Sequence, residues 1–532
     1  PPRLPSPTGL SNWIAILREM TASTFIDLVN QSLSAATAAE FEQRVDEQAG
    51  RLREAIAEGD LDSPDFGIGM ELEVYAVDND ATLRRLPKPV FEADCDKELG
   101  LHNAELNTSP DTLTEGGIES QADKLRASVE STRAAAREAG CEIVLDAMWA
   151  VPPAEGTHAY FGDVDRAEGV LVANNMAHSP RYSAIDTDIL DECGGSVSLS
   201  VPGAEVSFPT ILVESLTSSI QPHLQIPDTE SFTDAYNAAI ATLGPVLALS
   251  TNSPLLPVDC YDVDDPEALL DETHHELRID VFEQSINGAW HKVRFPDKLD
   301  QTTDVVDFLV DDPTVAPFLR EWLVDGPRET FADDYWELDH KRGTYWRWLR
   351  AVTGGQPVGN GDERSIRIEY RPIPTQPTVD DIVGLQCLVT GLVRGLLAAD
   401  HPVKNLDQST AETAFYSAVR NGIDAELAWI TADGEVTSDS STIYKEVFEY
   451  ARRGLREQGV STATVDRYLD PIEARWEQRR TPSQWKLDQV RDALDSGHSF
   501  PEAVREMQRA YIERSAAGTP FAEWDEAAVR SR

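Results

Sequence analysis

Residues 67–78 read GIGMELEVYAVD and place two glutamates, Glu71 and Glu73, two positions apart in an apolar run. In a helix these side chains would point about 200° apart, whereas in a strand they share one face. The β-branched and aromatic residues around them favour a strand. We therefore expect two neighbouring carboxylates on one strand face. Such a pair binds a divalent cation or shares a proton, unless the strand is an exposed, solvated edge.

Three further stretches also alternate polar and apolar residues, as a strand with one polar face does. They are HNAELNTSP at 102–110, SIQPHLQIP at 219–227 and RSIRIEYRP at 364–372. The polar positions of these stretches are Glu105 and Asn107, then Gln221 and His223, then Arg367, Glu369 and Arg371.

These side chains share a chemistry. Carboxylates hold Mg²⁺ through oxygen, and a neutral histidine completes such a shell. Arginine binds phosphate oxygens through two parallel hydrogen bonds. Taken singly, each residue also fits a solvated or structural position, but together they predict a metal-assisted nucleotide site. The sequence has no GxxxxGK[ST] loop, HExxH or GxSxG motif, so ATP would bind without a P-loop.

The remaining pattern predicts an α+β protein. Apolar periodicity predicts helices over 23–58, 118–139, 229–249 and 378–399, with mainly helical structure over 300–350 and beyond 400. Short strands are expected at 86–92 and 142–150. We expect an N-terminal extension and helical lead-in at 1–60, a catalytic domain at 61–400 and a helical C-terminal region at 401–532. Met20 is a candidate for the biological start.

The charge and the cysteines indicate the compartment. The net charge is −47, with 93 acidic and 46 basic residues spread along 532 positions. High salt relieves self-repulsion of this size, which predicts a cytoplasmic protein adapted to salt. The absence of a basic patch argues against nucleic acid as a partner. Five dispersed cysteines fit reduced thiols. No apolar run reaches the length of a membrane span, and a homo-oligomer is left open.

Six stretches carry a family resemblance, in the family's own order. GMELEVYAVD resembles an opening G-x-E-x-E strand, HNAELNTSP an E-x-N-T-x-P strand, and SIQPHLQIPD an H-V-H-V-x-x-P-D strand. LALSTNSPLL resembles A-L-S-A-N-S-P, and ELRIDVFE and RSIRIEYRPIPTQPT resemble the later arginine-bearing segments. The chain thus resembles the glutamate–cysteine ligase family of bacterial and archaeal type over roughly Phe66 to Leu397, in a haloarchaeal-like version.

This resemblance implies a glutamine synthetase-like domain: an antiparallel sheet with one polar concave face and helices on the other. It implies ATP as substrate and Mg²⁺ as cofactor, with the γ-carboxylate of glutamate phosphorylated and then attacked by the amine of cysteine. It assigns roles to eleven residues: metal ligands Glu71, Glu73, Glu105, His223 and Glu369; catalytic Arg278 and Arg371; and substrate-binding Asn107, Gln221, Asn252 and Ser253.

The chain departs from the family pattern at one of these positions, because Gln221 stands where the first histidine of H-V-H is expected. Glutamine hydrogen-bonds well but is a poor metal ligand. Two alternatives therefore stay open: a related ATP-dependent carboxylate–amine ligase with another amine, and a non-catalytic relative that binds nucleotide through the same sheet.

Overall fold

A computed structural model describes residues 21–92, 95–288 and 290–524. The proposed start at Met20 and the extension before it lie outside the described residues. The segment Gly67–Val77 is the strand β1 that its alternation predicts. It lies inside an eight-stranded antiparallel sheet, in which β1 pairs with four other strands.

The sheet runs β11–β12–β10–β1–β3–β2, and β4 and β5 pair with the two ends of β1. The other sheet strands are β2 Asp96–Lys97, β3 Asn103–Asn107, β4 Asp111–Thr112, β5 Glu142–Val144, β10 Ile220–Ile226, β11 Leu349–Thr353 and β12 Ile366–Tyr370. Three two-stranded hairpins lie outside it: β6 Val164–Ala167 with β7 Val170–Ala173, β8 Val197–Val201 with β9 Ala204–Phe208, and β13 Trp429–Ile430 with β14 Val436–Thr437.

Seventeen α-helices occur in the described part of the chain. They are α1 Ala22–Ser32, α2 Ala35–Glu58, α3 Glu115–Glu138, α4 Thr157–Phe161, α5 Pro180–Glu192, α6 Thr229–Ser250, α7 Pro266–Glu272, α8 Leu277–Ser285, α9 Asp304–Asp311, α10 Phe331–Asp334, α11 Trp336–Arg342, α12 Val379–Ala398, α13 Gln408–Asn421, α14 Ser440–Glu457, α15 Thr462–Glu477, α16 Pro482–Asp495 and α17 Phe500–Ala517.

The two faces of the sheet differ in chemistry. Leu72, Leu224 and Ile368 belong to the apolar face, and each is at most 2% exposed. Helices α3, α6 and α12 contact the strands and cover this face. The acids, His223 and the arginines of the alternating stretches therefore share the opposite face, because side chains of a strand alternate between faces.

Three expectations about local structure are wrong. The stretch 86–92 is not a strand, since Lys88–Glu92 forms a 3₁₀ helix. The strand expected over 142–150 ends at Val144, where β1 stops pairing with it. Residues 300–350 contain only short helices, and the edge strand β11 begins at Leu349.

The C-terminal helices pack directly on the part of the chain that carries the sheet. Glycines allow α12 to lie against α14: a Cβ on Gly454 would come within 2.0 Å of the Gly391 carbonyl oxygen. One apolar core extends from Phe25 to Ile472. The domain boundaries near 60 and 400 stay predictions. The expectation that no apolar run reaches the length of a membrane span is wrong, because helix α12 is long and apolar enough to cross a membrane by length and composition. However, 83% of its apolar window is buried inside the protein, as is usual for a core helix.

Candidate active site on the polar face of the sheet

The register of the sheet brings the sequence-predicted acids together. Glu73 lies opposite Glu105 across the β1–β3 pair. His223 of β10 lies opposite Glu369 of β12. Glu71 neighbours both groups, because its strand is hydrogen-bonded to β3 on one side and to β10 on the other. Residues almost 300 positions apart thus form one surface.

A compact trio at its centre has the donor set of a cation site. One ligand atom from each of Glu71, His223 and Glu369 lies within 4.8 Å of the other two. The buried Nε2 of His223 has no hydrogen-bond partner and lies 3.2 Å from a Glu71 oxygen. Two carboxylates and an imidazole fit a hard divalent cation such as Mg²⁺. The residues present therefore fit the metal that the resemblance implies.

The tautomer of His223 depends on a neighbouring arginine. Nε of Arg367 donates to Nδ1 of His223 at 3.1 Å, so Nδ1 accepts and the proton of the neutral ring is on Nε2. Cation binding through Nε2 requires the opposite tautomer, with the proton on Nδ1. Arg367 would then have to release Nδ1.

Arginines neutralise part of the trio. Nε of Arg350 donates to Glu369 at 2.8 Å, and Arg371 donates to its other oxygen. Burial alone would raise the pKa of Glu369, but these two guanidiniums hold it well below its ordinary value. Burial also opposes ionisation of Glu71, yet the adjacent His223 ring and the charge of Arg371 keep its pKa lowered.

A second cluster of carboxylates adjoins the trio and has fewer cationic side chains around it. Burial raises the pKa of Glu73, while a backbone hydrogen bond from Ser219 and the charge of Arg278 oppose that rise. Burial and the charge of Glu71 raise the pKa of Glu105 well above its ordinary value. Burial and the charge of Glu73 raise the pKa of Glu98 to about 8. A cation bound among these carboxylates would relieve their repulsion.

The two predicted catalytic arginines reach this group from opposite directions. Arg371 follows strand β12 and donates to the Gln221 side chain at 2.5 Å. Arg278 lies in helix α8 and is 2% exposed. It donates to the Pro372 carbonyl and lies 5.4 Å from the ring centroid of Trp348. Gln221 also donates to Glu73 at 3.1 Å and so places Arg371 beside Glu73. Burial lowers the pKa of Arg278, while the charges of Glu276 and Glu73 oppose that change.

The four residues predicted to bind substrate fall into two pairs. Asn107 and Gln221 lie on the polar face, each opposite Glu71. Asn252 and Ser253 are at most 1% exposed, and their side chains bond to other protein groups. The structure does not bring this second pair to the open face, and a direct substrate contact for them stays a prediction.

Sequence analysis overlooked three residues of the site. Glu98 follows the short strand β2, which pairs with β3, and the alternation of Asp96 and Glu98 could have identified it. Arg350 lies opposite Glu369 in an edge strand obscured by the aromatic run YWRW. Glu214 lies in a 3₁₀ helix without periodic signal, and burial, together with the charges of Glu98 and Glu73, raises its pKa well above normal.

A pocket continues the polar face beyond the trio. Its floor is the first part of β1, where two glycines leave room: a Cβ on Gly67 would approach Val358 to 2.9 Å. Its lining includes Glu71 and His223 of the trio, and Arg367. A second pocket shares Arg367 and is lined mainly by apolar and aromatic groups, among them Phe331 and Tyr335.

Comparisons with known proteins agree with this architecture. A crystal structure of glutamate–cysteine ligase from Francisella tularensis in complex with AMP covers 88% of this chain and 95% of its own, at 14% identity and a TM-score of 0.50. A bifunctional glutathione synthetase from Pasteurella multocida covers 85% of this chain and 52% of its own, at 12% identity and a TM-score of 0.46. No curated protein sequence matches the chain.

The first of these likenesses shows the glutamine synthetase-like ligase fold. The family described as glutamate–cysteine ligase family 2 matches residues 67–517, which is most of the chain and includes β1, β12 and the C-terminal helices. The chain therefore belongs to glutamate–cysteine ligase family 2, and it is an enzyme of that ligase type.

Proposed function

We propose that this enzyme joins the γ-carboxylate of glutamate to the amine of cysteine at the expense of ATP, through an acyl phosphate, and releases γ-glutamylcysteine. The observation that carries the proposal is the trio of Glu71, His223 and Glu369, with ligand atoms within 4.8 Å of one another beside two partly buried arginines, Arg350 and Arg371. Phosphoryl transfer needs this combination, because catalysis consists mainly of holding and neutralising phosphate oxygens.

In this proposal Glu71, His223 and Glu369 hold one Mg²⁺, and Glu73 and Glu105 contribute to a further ion. Glu98 lies close enough to join the second group. Bound Mg²⁺ would supply positive charge for the phosphoryl oxygens of ATP.

Arg278 and Arg371 position the reacting groups. Arg371 is linked to Glu73 through Gln221, and the charge of Glu73 acts on Arg278, so a phosphoryl group and a substrate carboxylate brought to this end of the sheet would meet two guanidiniums. A guanidinium group orients a phosphoryl group or a carboxylate through two parallel hydrogen bonds. The geometry supports a role in holding the γ-carboxylate of glutamate in line with the terminal phosphate.

The nucleotide would enter at the glycine end of β1. The pocket there reaches Glu71 and His223 directly, so phosphates at the trio and a nucleoside in the pocket form one continuous ligand. The structure of the Francisella tularensis relative was determined with AMP, which supports an adenine nucleotide as the ligand. Asn107 also lines this pocket and would contact the phosphates or the ribose.

The acceptor amine is the least constrained part of the proposal. Gln221 replaces a family histidine and bridges Glu73 and Arg371, so it borders the place where the amine must attack. An ATP-dependent ligase that uses another amine is therefore the second candidate. A non-catalytic nucleotide-binding relative is the third, and the complete set of acids and arginines disfavours it.

An amine screen tests the proposal. The full chain is assayed in molar KCl with ATP, Mg²⁺ and glutamate, and phosphate release is measured for cysteine and for each other amine. Cysteine-dependent release, with γ-glutamylcysteine identified by mass spectrometry, is the expected result. Release with a different amine supports the second candidate. If no amine gives release, and hydroxylamine traps no acyl phosphate, the ligase proposal fails.

We also propose the cellular environment of the enzyme from its net charge. A net charge of −47 fits a cytoplasm with high salt, where screening weakens repulsion between surface carboxylates. Its partners would be small-molecule substrates rather than nucleic acid or membrane.

A further inference from the structure

A buried lysine connects the C-terminal helices to the catalytic region. Lys486 of α16 is 2% exposed. Its ammonium group donates to Asp146 Oδ1 at 2.5 Å and to the Asn252 carbonyl at 2.6 Å, and it lies 4.6 Å from the ring centroid of Tyr511 in α17. An ammonium group this deep inside the protein is tolerated only where acceptors replace its water.

The contacts continue from Asn252 to Arg278. The backbone amide of Asn252 donates to Glu276 Oε2 at 2.8 Å, and the Ser253 hydroxyl donates to Oε1 at 2.7 Å. Nε of Arg278 reaches the same Oε1 at 3.3 Å, and the amide of Arg278 donates to the Ser253 hydroxyl at 3.1 Å. The loop at 252–253 therefore donates hydrogen bonds to both carboxylate oxygens of Glu276.

A second branch reaches strand β1. The Asn252 side chain donates to the Thr375 carbonyl at 2.7 Å, and the Thr375 hydroxyl donates to the Glu73 carbonyl at 2.8 Å. Asp146 accepts from the Tyr75 hydroxyl at 3.3 Å, and Tyr75 follows Glu73 by two residues. The first branch ends at Arg278, and the second ends at the backbone of β1 at Glu73.

We propose that Lys486 is a positioning residue for Arg278, and that helices α16 and α17 therefore belong to the catalytic apparatus rather than to an independent appendage. The role rests on the proposed function, because Arg278 matters only if the site transfers a phosphoryl group. Lys486 donates a hydrogen bond to the Asn252 carbonyl. This contact fixes the loop at 252–253, which in turn donates hydrogen bonds to both carboxylate oxygens of Glu276.

The charges explain why the position of Arg278 depends on this lysine. Asp146, Glu276, Lys486 and Arg278 form a buried set of two acids and two bases. Without the ammonium group, the Asn252 carbonyl loses its donor, and the loop at 252–253 is no longer held against Glu276. Glu276 is then free to pair with Arg278 through both oxygens and draw it away from Glu73. A displacement of about 1 Å at a reacting centre lowers turnover on the order of 100-fold.

Three variants test the proposal in molar KCl. Lys486→Met removes the ammonium group, and we expect kcat to fall on the order of 10- to 100-fold while KM for ATP stays within a few-fold. Lys486→Arg keeps a cation and should recover most of the lost turnover. Val490→Ala lies one turn further along the same helix, is fully buried and contributes only apolar packing, so it should lower Tm and leave kcat unchanged.

A second measurement separates this proposal from the ligase proposal. Hydrogen exchange of the α8 amides should be faster in Lys486→Met than in Val490→Ala, whether or not an accepted amine is found. If Lys486→Met does not fold, the double variant Lys486→Met/Asp146→Asn removes both charges of the pair, and it should fold with kcat still reduced. Wild-type kcat in a folded Lys486→Met, or an equal loss of kcat in Val490→Ala, would overturn the proposal.

Discussion

Replacing Glu71 by glutamine should separate cation binding from folding. The variant keeps the size of the side chain and an oxygen that faces Nε2 of His223, but it removes one of the two negative charges of the trio. Carboxylate oxygens of Glu71 and Glu369 lie within 4.8 Å of each other. Two such charges repel by roughly 3.5 kcal/mol at an effective dielectric constant of about 20. Arg350 and Arg371 offset part of this repulsion.

Two opposite effects follow in the Glu71→Gln variant. Without a divalent cation, loss of the repulsion offsets the lost attraction to nearby arginines, so we expect Tm to change by only a few degrees. With Mg²⁺, the trio offers one negative charge instead of two. We expect the apparent affinity for Mg²⁺ to fall on the order of 100-fold, which is about 2.7 kcal/mol, and turnover to fall at least as far.

The assay is a titration of phosphate release against Mg²⁺ in molar KCl, together with direct binding of Mn²⁺ followed by electron paramagnetic resonance. Glu142→Gln is the matched control, since Glu142 lies in β5, which also pairs with β1 but away from the trio. The reasoning is refuted if Glu71→Gln shows wild-type Mg²⁺ dependence. It is also refuted if both variants lose activity equally.

Three further predictions concern stability. Raising KCl from about 0.1 M to 3 M should raise Tm markedly. The Debye length falls from about 10 Å to below 3 Å, so the added salt screens the repulsion that arises from a net charge of −47. A Tm that does not change with salt would contradict this prediction. Burial lowers the pKa of His102 to about 4, so the unfolded state binds a proton that the folded state excludes, and the unfolding free energy should fall as pH drops from 6.5 to 4. His102→Gln should reduce that slope by one proton in urea titrations. Gly454→Ala should cost several kcal/mol, since its methyl group would meet the Gly391 carbonyl, whereas Gly50→Ala in an open helix position should stabilise by up to about 1 kcal/mol.

Sequence patterning was enough to predict the face of each strand, because the period of two is a property of the strand alone. Alternation placed Glu71 with Glu73, and Glu105 with Asn107, and the structure confirms that these pairs share the polar face. The same argument identified His223. It could not show which strands are neighbours, so the sheet order β12–β10–β1–β3 was not predicted.

Partners across long sequence distances were beyond such patterning. Arg350 could not be matched to Glu369 from the sequence, since their contact depends on the register of an edge strand that follows a run of aromatic residues. Lys486 gave no signal either, because a lysine on an amphipathic helix is normally solvated. Its burial against Asp146 follows from tertiary packing of α16 and α17, which no local period encodes.

The structure also changes the weight of the Gln221 departure. A neutral histidine at this position would offer one donor and one acceptor, and it could bridge an acid to a base or bind a cation. Gln221 keeps the bridge: its amide nitrogen donates to Glu73 at 3.1 Å, and its oxygen accepts from Arg371 at 2.5 Å. The substitution therefore removes a cation ligand but preserves the link that orients Arg371 beside Glu73. The trio of Glu71, His223 and Glu369 is complete without this position, so under the proposed function the departure bears on the acceptor amine more than on phosphoryl transfer.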